Sequence, residues 1–272
     1  MADWLERFVR RQDKAKDAAA RALTSIYKQA ARELLGSLLL EGDAPLDVVR
    51  NGRILAQVLP LLQRLDSRAT TVLSTLLLDA YAETRRDVFR VALVRAGDVP
   101  PPPTPGIRIS FETIPEERVR EAARASLEYV KGVCDDLRTK IRTQLGISYV
   151  RGESVRDLAQ RIAGTGLTPE GGHPSFHTAE VRANVIARTE TARIHSVTTE
   201  EAIAQIPGGM MEWSALLEGA CKLCRDLDGQ LAKPGELFVG RRYPGKWMVP
   251  RHPRCRCVIV PHIPKADATR PA

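Results

Sequence analysis

Apolar residues recur three and four positions apart along the first 96 residues, a spacing that predicts amphipathic helices. Gly42 to Pro45 interrupt the first apolar stripe, and Pro60 predicts a kink or a split in the second. Asp66 and Ser67 are typical of a turn or a helix cap, so a further helix is expected after them. The pattern therefore predicts helices over residues 2–40, 46–65 and 68–96. Their apolar faces either form a core or, for one of them, dock on a partner protein.

A proline-rich segment, residues 97–106, follows this helical region. Consecutive prolines hold the backbone extended, so the segment is predicted to be a semi-rigid linker. We therefore expect a domain boundary here, between an N-terminal helical region over residues 1–96 and a C-terminal domain over residues 107–264. The remaining residues, 265–272, are expected to be disordered.

The C-terminal domain is predicted to combine helices with a small β element. Apolar spacing predicts a helix over residues 115–145, which Gly146 ends. It also predicts a short helix from Val155, capped by Glu153 and Ser154, and a long helix over residues 179–205. Alternation predicts strands at 107–111, 211–217 and 257–261, the last two as a pair. Cys134 lies on an apolar helix face and is interpreted as a core residue. The fold class expected is mainly α, with an N-terminal helical region and an α+β C-terminal domain that carries a Cys/His knuckle.

Positive charge is concentrated near the C-terminus. The formal net charge is +8, and residues 221–272 hold 11 Lys and Arg against 4 Asp and Glu, an excess of 7. Such an excess favours an anionic partner, either nucleic acid or an acidic protein surface, although a merely solvated surface is the alternative. The candidate contact residues are Arg241, Arg242, Lys246, Arg251, Arg254 and Arg256.

The sequence also bears on where the protein works. No apolar run approaches the roughly 20 residues that span a bilayer, so no membrane association is expected. The first residues lack the pattern of a secretory signal, which favours a reducing cytoplasm. In that compartment, clustered cysteines are more often bound to a metal than joined in disulfides.

Four of the five cysteines form a cluster with one histidine. A Cys-x-x-Cys pair, Cys221 and Cys224, is followed after a Gly/Pro-rich loop by His252, Cys255 and Cys257. This spacing is typical of a tetrahedral zinc site that closes a loop, so zinc is the expected cofactor. Such a site needs four of the five candidates, and His252 and Cys257 compete for the fourth place. The alternative is that the cysteines bind no metal.

The long helix at 179–205 contains a short polar motif, Arg188, Thr189 and Glu190. Polar groups within such an apolar helix are expected to form a buried hydrogen-bonded network that supports the fold. A catalytic interpretation would use Glu190 as a base together with His195 or Arg188. We favour the structural interpretation, because neither a nucleophile nor a phosphate-binding loop accompanies these residues.

The ordered motifs resemble those of the phage Mu F-like minor head proteins, also called phage head morphogenesis proteins. The resemblance covers roughly residues 112–261 and is carried by Ala187-Arg-Thr-Glu190, Trp213, Cys221-x-x-Cys224, Leu227-x-Gly229 and Pro250-x-His252-Pro-x-Cys255-Arg-Cys257. One departure is Leu217-Glu-Gly-Ala220, where the family often carries an acidic or Asp/Arg pair before the first cysteine.

The resemblance implies a minor structural protein of a tailed-phage head, not an enzyme, that acts at the portal vertex in procapsid assembly. Implied partners are the portal protein, a scaffold or major capsid protein, and packaged DNA. The implied location is the virion head near the portal, after assembly in the host cytoplasm. The helical region over residues 1–96 would then be a docking arm.

Two other functions are compatible with parts of the sequence. One is an ADP-ribosyltransferase-like or toxin-like enzyme that uses Arg188 and Glu190, although no second half of such a site is evident. The other is a zinc-dependent nucleic-acid-binding protein, although no helix after the knuckle is available to enter a groove.

Overall fold

Helices dominate the computed structural model, which describes residues 2–95, 116–164, 173–215 and 220–263. The helices are α1 Ala2–Leu39, α2 Val48–Arg95, α3 Glu116–Val150, α4 Val155–Ala163, α5 Ser175–Ala204 and α6 Lys222–Arg225. The strands are β1 Met210–Ser214, β2 Leu231–Ala232, β3 Phe238–Val239, β4 Lys246–Trp247 and β5 Val258–His262. The predicted fold class, mainly α with a small β element, is confirmed. Within the described ranges, no helix has the length and apolar character needed to cross a membrane.

The prediction of two helices between residues 46 and 96 is wrong, because α2 is continuous through Pro60 and through Asp66 and Ser67. Pro60 is exposed, so its missing N–H lies on the side of the helix that faces solvent. Leu62 and Leu65 on the other side are buried. The burial of this uninterrupted apolar stripe outweighs the local helix-breaking signals.

Two further helix boundaries differ from the prediction. α3 continues past Gly146 and ends before Gly152, whose φ of 65° lies in the left-handed region that favours glycine. α5 begins at Ser175, four residues before the predicted start at 179. The predicted strand at 107–111, the linker at 97–106 and the tail at 265–272 lie outside the described residues.

The described chain forms two compact units. The first comprises residues 1–17, 76–124 and 188–272, and the second comprises residues 18–75 and 125–187. Each unit therefore takes residues from both sides of the predicted linker. The division at 97–106 and the docking-arm interpretation of residues 1–96 stay predictions.

The second unit is a bundle of helical segments around an aliphatic core. Its fully buried side chains include Leu23, Leu34, Leu38, Ile54, Leu62, Leu73, Ile141, Leu158 and Ile162. Cys134 is buried in this core, and its Sγ lies 3.4 Å from the hydroxyl oxygen of Tyr27. Burial raises the pKa of the Cys134 thiol to about 11, so this cysteine is a neutral core residue, as expected.

The turn between α3 and α4 is fixed by the side chain of Glu153. Ser154 caps α4 through a reciprocal pair of bonds with Asp157, which confirms the predicted cap. The Glu153 carboxylate accepts a hydrogen bond of 2.7 Å from Ser148 and binds Arg161 at 2.7 Å. Burial alone would raise the pKa of Glu153, but Ser148 and Arg161 lower the pKa overall.

We expect Glu153→Gln to lower the free energy of unfolding at pH 7 by about 2 kcal/mol, because Arg161, 6% exposed, loses its charged partner. Because the pKa of Glu153 is lower in the folded state than its ordinary value of 4.5, the ionised carboxylate stabilises the fold at pH values above 4.5. This stabilisation is lost as the pH falls through the folded-state pKa. The difference between wild type and variant in urea unfolding should therefore shrink below that pH. Glu128→Gln, at a pair where Glu128 is 72% exposed, is the control and should cost less than about 0.5 kcal/mol. Equal losses in both variants would contradict the prediction.

The first unit contains a three-stranded antiparallel sheet in the order β2-β1-β5. The predicted pairing of the two strands is confirmed, with Trp213 opposite Ile259, although β1 ends at Ser214 instead of residue 217. The sheet core includes Trp213, whose ring packs edge-on against Phe238 at 5.4 Å between centroids. Phe8, Val9 and Val88, from α1 and α2, are buried in the same core, as are Cys224, Cys255 and Cys257.

Candidate metal centre

The first half of the centre is built on the short helix α6. Cys221 is the N-cap residue of α6, and Cys224 lies within the helix. The Cys224 amide donates a hydrogen bond of 3.1 Å to the Cys221 carbonyl oxygen, which closes a tight turn. The turn brings both side chains towards one point, with Cys224 buried and Cys221 partly buried.

His252 approaches both of these cysteines. Its Nε2 lies 3.3 Å from Cys221 Sγ and 3.3 Å from Cys224 Sγ. The other ring nitrogen, Nδ1, lies 2.8 Å from the carbonyl oxygen of Pro253. A carbonyl can only accept, so Nδ1 carries the proton, and the lone pair of Nε2 is free to bind a metal between the two sulfurs.

Cys255 and Cys257 complete the cluster. Cys224 Sγ lies 3.8 Å from Cys255 Sγ, and the sulfurs of Cys224, Cys255 and Cys257 all lie within 4.8 Å of one another. The segment is not extended before β5. Arg254 has a φ of 60°, and the Cys255 amide bonds back to the His252 carbonyl at 3.1 Å. This turn lets His252 and Cys255 approach the same sulfur, that of Cys224.

The five donors thus form two overlapping triads that share Cys224, one with Cys221 and His252 and the other with Cys255 and Cys257. Thiolate sulfur and imidazole nitrogen are the donors that zinc prefers, at about 2.3 Å and about 2.0 Å. Donors around one tetrahedral ion then lie roughly 3.3–3.8 Å apart, which fits the distances from Cys224 to His252 and to Cys255. The donor chemistry therefore fits a zinc ion, and the spacing fits one within each triad.

Electrostatics favour a thiolate in this cluster. Hydrogen bonds from Cys224 and Cys257 lower the pKa of the Cys255 thiol, although burial opposes them. Burial alone would also raise the pKa of Cys221, but bonds from Cys224 and His252 lower it overall. Because a thiolate is the metal-binding form of cysteine, these two shifts favour metal binding through Cys221 and Cys255, whereas hydrogen bonding to Cys255 raises the pKa of Cys224.

Lys16 of α1 supports the centre from outside. It is fully buried, and its Nζ donates to the carbonyl oxygens of Arg256 at 3.3 Å and of Cys257 at 3.1 Å. Burial lowers the pKa of Lys16 to about 8, while Asp13 and the two cysteines Cys255 and Cys257 oppose this shift. The ammonium group thus places positive charge beside the thiols and holds the backbone that carries them.

Sequence reasoning missed Lys16 and its neighbour Asp13, although a signal was present. The apolar stripe of α1 runs through Phe8 and Val9 and resumes at Ala19, but polar residues occupy the inward positions between them. Polar residues on the buried stripe of an otherwise regular helix indicate specific partners elsewhere in the chain.

Asp13 joins the polar motif of α5 to the centre. Arg188 binds Asp13 at 2.7 Å and also binds Asp17, and Arg256 binds Asp13 at 2.8 Å. Arg188 is 12% exposed and Asp13 is 10% exposed, so this ion-pair network is largely shielded from solvent. The network connects α1, α5 and the segment before β5 within the first unit.

The other two motif residues contact different partners. Thr189 Oγ1 accepts a hydrogen bond of 3.3 Å from the Arg254 amide, which attaches α5 to the turn between His252 and Cys255. Glu190 is buried and binds Arg193 at 3.0 Å. His195 bonds to Thr84 through Nδ1, and burial lowers its pKa to about 3, so its imidazole is neutral. These contacts join the motif to neighbouring elements, and the structural role of the motif stays a prediction.

The predicted basic residues fall into two groups. Arg251 and Arg256 are partly buried, and each has a structural partner: Arg251 lies over the Trp247 ring at 4.3 Å, and Arg256 binds Asp13. The exposed group consists of Arg241, Arg242, Lys246 and Arg254. Only the exposed group presents its charge fully to solvent.

Fold and centre together define a mainly helical protein whose small antiparallel sheet is closed by a Cys/His knuckle. Residues 139–260 match the family described as Phage Mu protein F like protein. Over this segment, the match confirms the resemblance to the phage Mu F-like head morphogenesis proteins that the motifs indicate. The matched segment contains the α5 motif, all five candidate ligands and the sheet except for the last two residues of β5.

A relative from Haemophilus influenzae, described as an uncharacterized protein, is 24% identical over 146 residues. The match covers 53% of this chain and 29% of the relative. The chain therefore spans less than a third of the length of that relative. No solved structure matches the chain significantly.

Proposed function

We propose that this protein is a minor structural protein of a tailed-phage head that acts at the portal vertex during procapsid assembly. The observation that carries the proposal is the Phage Mu F-like match over residues 139–260, which implies other head components as partners and the virion as the location. The portal protein is the partner that we propose, and a scaffold or major capsid protein is the alternative.

An exposed apolar surface in the second unit supports a protein partner. The turn between α1 and α2 lies against the turn between α3 and α4, where the Leu46 amide bonds to the Glu153 carbonyl at 3.1 Å. Around these turns, large apolar side chains are exposed: Leu40 by 89%, Val150 by 84%, Val48 by 71% and Val49 by 62%. We call these four residues the apolar end. Clustered apolar exposure of this kind marks a site of protein association.

We expect the double substitution Leu40→Glu with Val150→Glu to reduce co-purification of the portal protein at least tenfold, because charges would have to be desolvated in the interface. The measurement is co-expression of the full chain with a tagged portal protein from the same phage genome, followed by affinity purification. Leu78→Glu is the matched control, since Leu78 is 51% exposed but belongs to the first unit.

The control variant should co-purify as the wild type does. Unaltered binding of the double variant, or an absence of binding by the wild type, would contradict the proposed portal contact. Thermal unfolding of all three proteins separates a lost contact from a lost fold.

We further propose that one zinc ion is bound by Cys221, Cys224, His252 and Cys255. Cys255 is included in this set because its Sγ lies 3.8 Å from Cys224 Sγ and its pKa is lowered. Zinc would act as a structural cross-link that holds the Gly/Pro-rich loop between α6 and β5 against the sheet.

A further inference from the structure

A positively charged cleft lies beside the knuckle. Its cavity has a volume of about 570 Å³ and is lined by Lys222, Arg225, Asp226, Arg241, Arg242 and Tyr243. Lys222 and Arg225 come from α6, and Arg241 and Arg242 come from the connection between β3 and β4. We call these four cationic residues the basic cleft. Lys222 and Arg225 were not among the contact residues expected from the sequence.

The carboxylate of Asp226 holds the two sides of the cleft together. It accepts backbone hydrogen bonds from Arg241 at 2.8 Å, from Arg242 at 2.9 Å and from Tyr243 at 3.3 Å. Desolvation alone would raise the pKa of Asp226, but these three donors and Arg251 lower it overall, so the carboxylate is ionised. Its charge is thus directed at backbone amides, and the arginine side chains remain available.

The four cationic side chains are poised for an external anion. All four residues are exposed, and none of them forms a side-chain ion pair with any carboxylate in the described part of the chain. Only one negative charge, that of Asp226, lines the same cavity. Four positive charges around one cavity produce a local potential that attracts anions and concentrates them.

We propose that the basic cleft binds consecutive phosphates of the DNA backbone. Guanidinium groups bind phosphate oxygens in pairs, and a concave cavity encloses a protruding phosphate better than it fits a flat acidic protein surface. Tyr243 is the one aromatic lining residue, so the cleft lacks a row of rings on which bases could stack. Binding is therefore independent of sequence. The proposal rests on the proposed function, since a phage head encloses DNA.

The test measures binding of the full chain to a fluorescent duplex of about 20 base pairs across a series of salt concentrations. Arg241→Ala with Arg242→Ala removes two charges and retains the backbone donors to Asp226. This variant should bind at least about tenfold more weakly at low salt, and the slope of log affinity against log salt should fall by about 2. Lys140→Ala with Arg142→Ala, two exposed residues of α3, is the control and should change affinity less than about twofold.

Equal losses in the two double variants, or no measurable binding by the wild type, would overturn the proposal. Competition by polyglutamate against the labelled duplex tests the alternative that the cleft binds an acidic protein. If polyglutamate displaced the duplex as effectively as unlabelled DNA at equal charge, the cleft would be a site for acidic protein. DNA binding and portal co-purification are separate measurements on different units, so either proposal can fail while the other stands.

Discussion

Cys224→Ala is expected to abolish zinc binding and to lower the free energy of unfolding by at least ~4 kcal/mol. Cys224 is the donor shared by both triads, so its loss leaves neither triad complete. The purified wild type should contain about one equivalent of zinc, because a closed structural site binds a single ion. Elemental analysis gives the zinc content, and urea unfolding gives the change in stability.

Cys134→Ala is the matched control. Cys134 and Cys224 are both 1% exposed, so the two substitutions remove the same buried atoms. The control should retain the zinc and lose only about 1–2 kcal/mol, the cost of a small cavity. Less than a third of an equivalent of zinc in the wild type, together with normal stability of Cys224→Ala, would refute the metal proposal.

Elemental analysis of zinc content in two further variants identifies the fourth ligand. We expect Cys255→Ser to lose zinc and Cys257→Ser to retain it, because Cys255 Sγ lies 3.8 Å from Cys224 Sγ and Cys255 belongs to the proposed ligand set. Serine keeps the size of the side chain and removes the thiolate, so a difference between the two variants reports ligation. The opposite outcome would contradict the proposed set and assign the fourth place to Cys257.

Lys16→Met is expected to lower the free energy of unfolding by about 2–4 kcal/mol and to weaken zinc binding about tenfold. Methionine fills a similar volume but leaves the carbonyl oxygens of Arg256 and Cys257 without their donor. The charge beside the thiols is lost as well. Urea unfolding measures the first effect, and competition with a zinc chelator measures the second.

Lys14→Met on the same helix serves as the comparison, since Lys14 is exposed. This change should alter stability by less than about 0.5 kcal/mol and should leave zinc binding unchanged. If Lys16→Met were as stable as Lys14→Met and bound zinc equally well, Lys16 would have no supporting role at the centre.

The contacts around the centre explain how the knuckle can act as a cross-link between distant parts of the chain. Lys16 and Asp13 hold the segment before β5 from α1, and Thr189 holds its turn from α5. Metal binding between Cys221, Cys224 and this segment would therefore restrain helices that are distant in sequence. In the first unit, the N-terminal turns of α1 are part of the same core as the sheet.

Local pattern predicted most helices correctly and failed where burial overrode local signals. Pro60 and Gly146 are ordinary helix-ending signals, yet α2 and α3 continue through both. In each case the flanking apolar residues are buried, and the gain from burying a continuous stripe exceeds the local cost. Strands of two residues, such as β3 and β4, were not predicted because so short a segment has no measurable alternation.

The sequence by itself determined the mainly helical class, the five candidate ligands and the Phage Mu F-like resemblance, because periodicity and motif spacing are local properties. Tertiary structure alone decided that His252 and Cys255 both approach Cys224, since a positive φ at Arg254 bends the segment between them. It also decided that Lys16 lies beside Cys257, 241 positions away. Such partners depend on which helix covers the knuckle, and the burial that selects them arises only when the chain is folded.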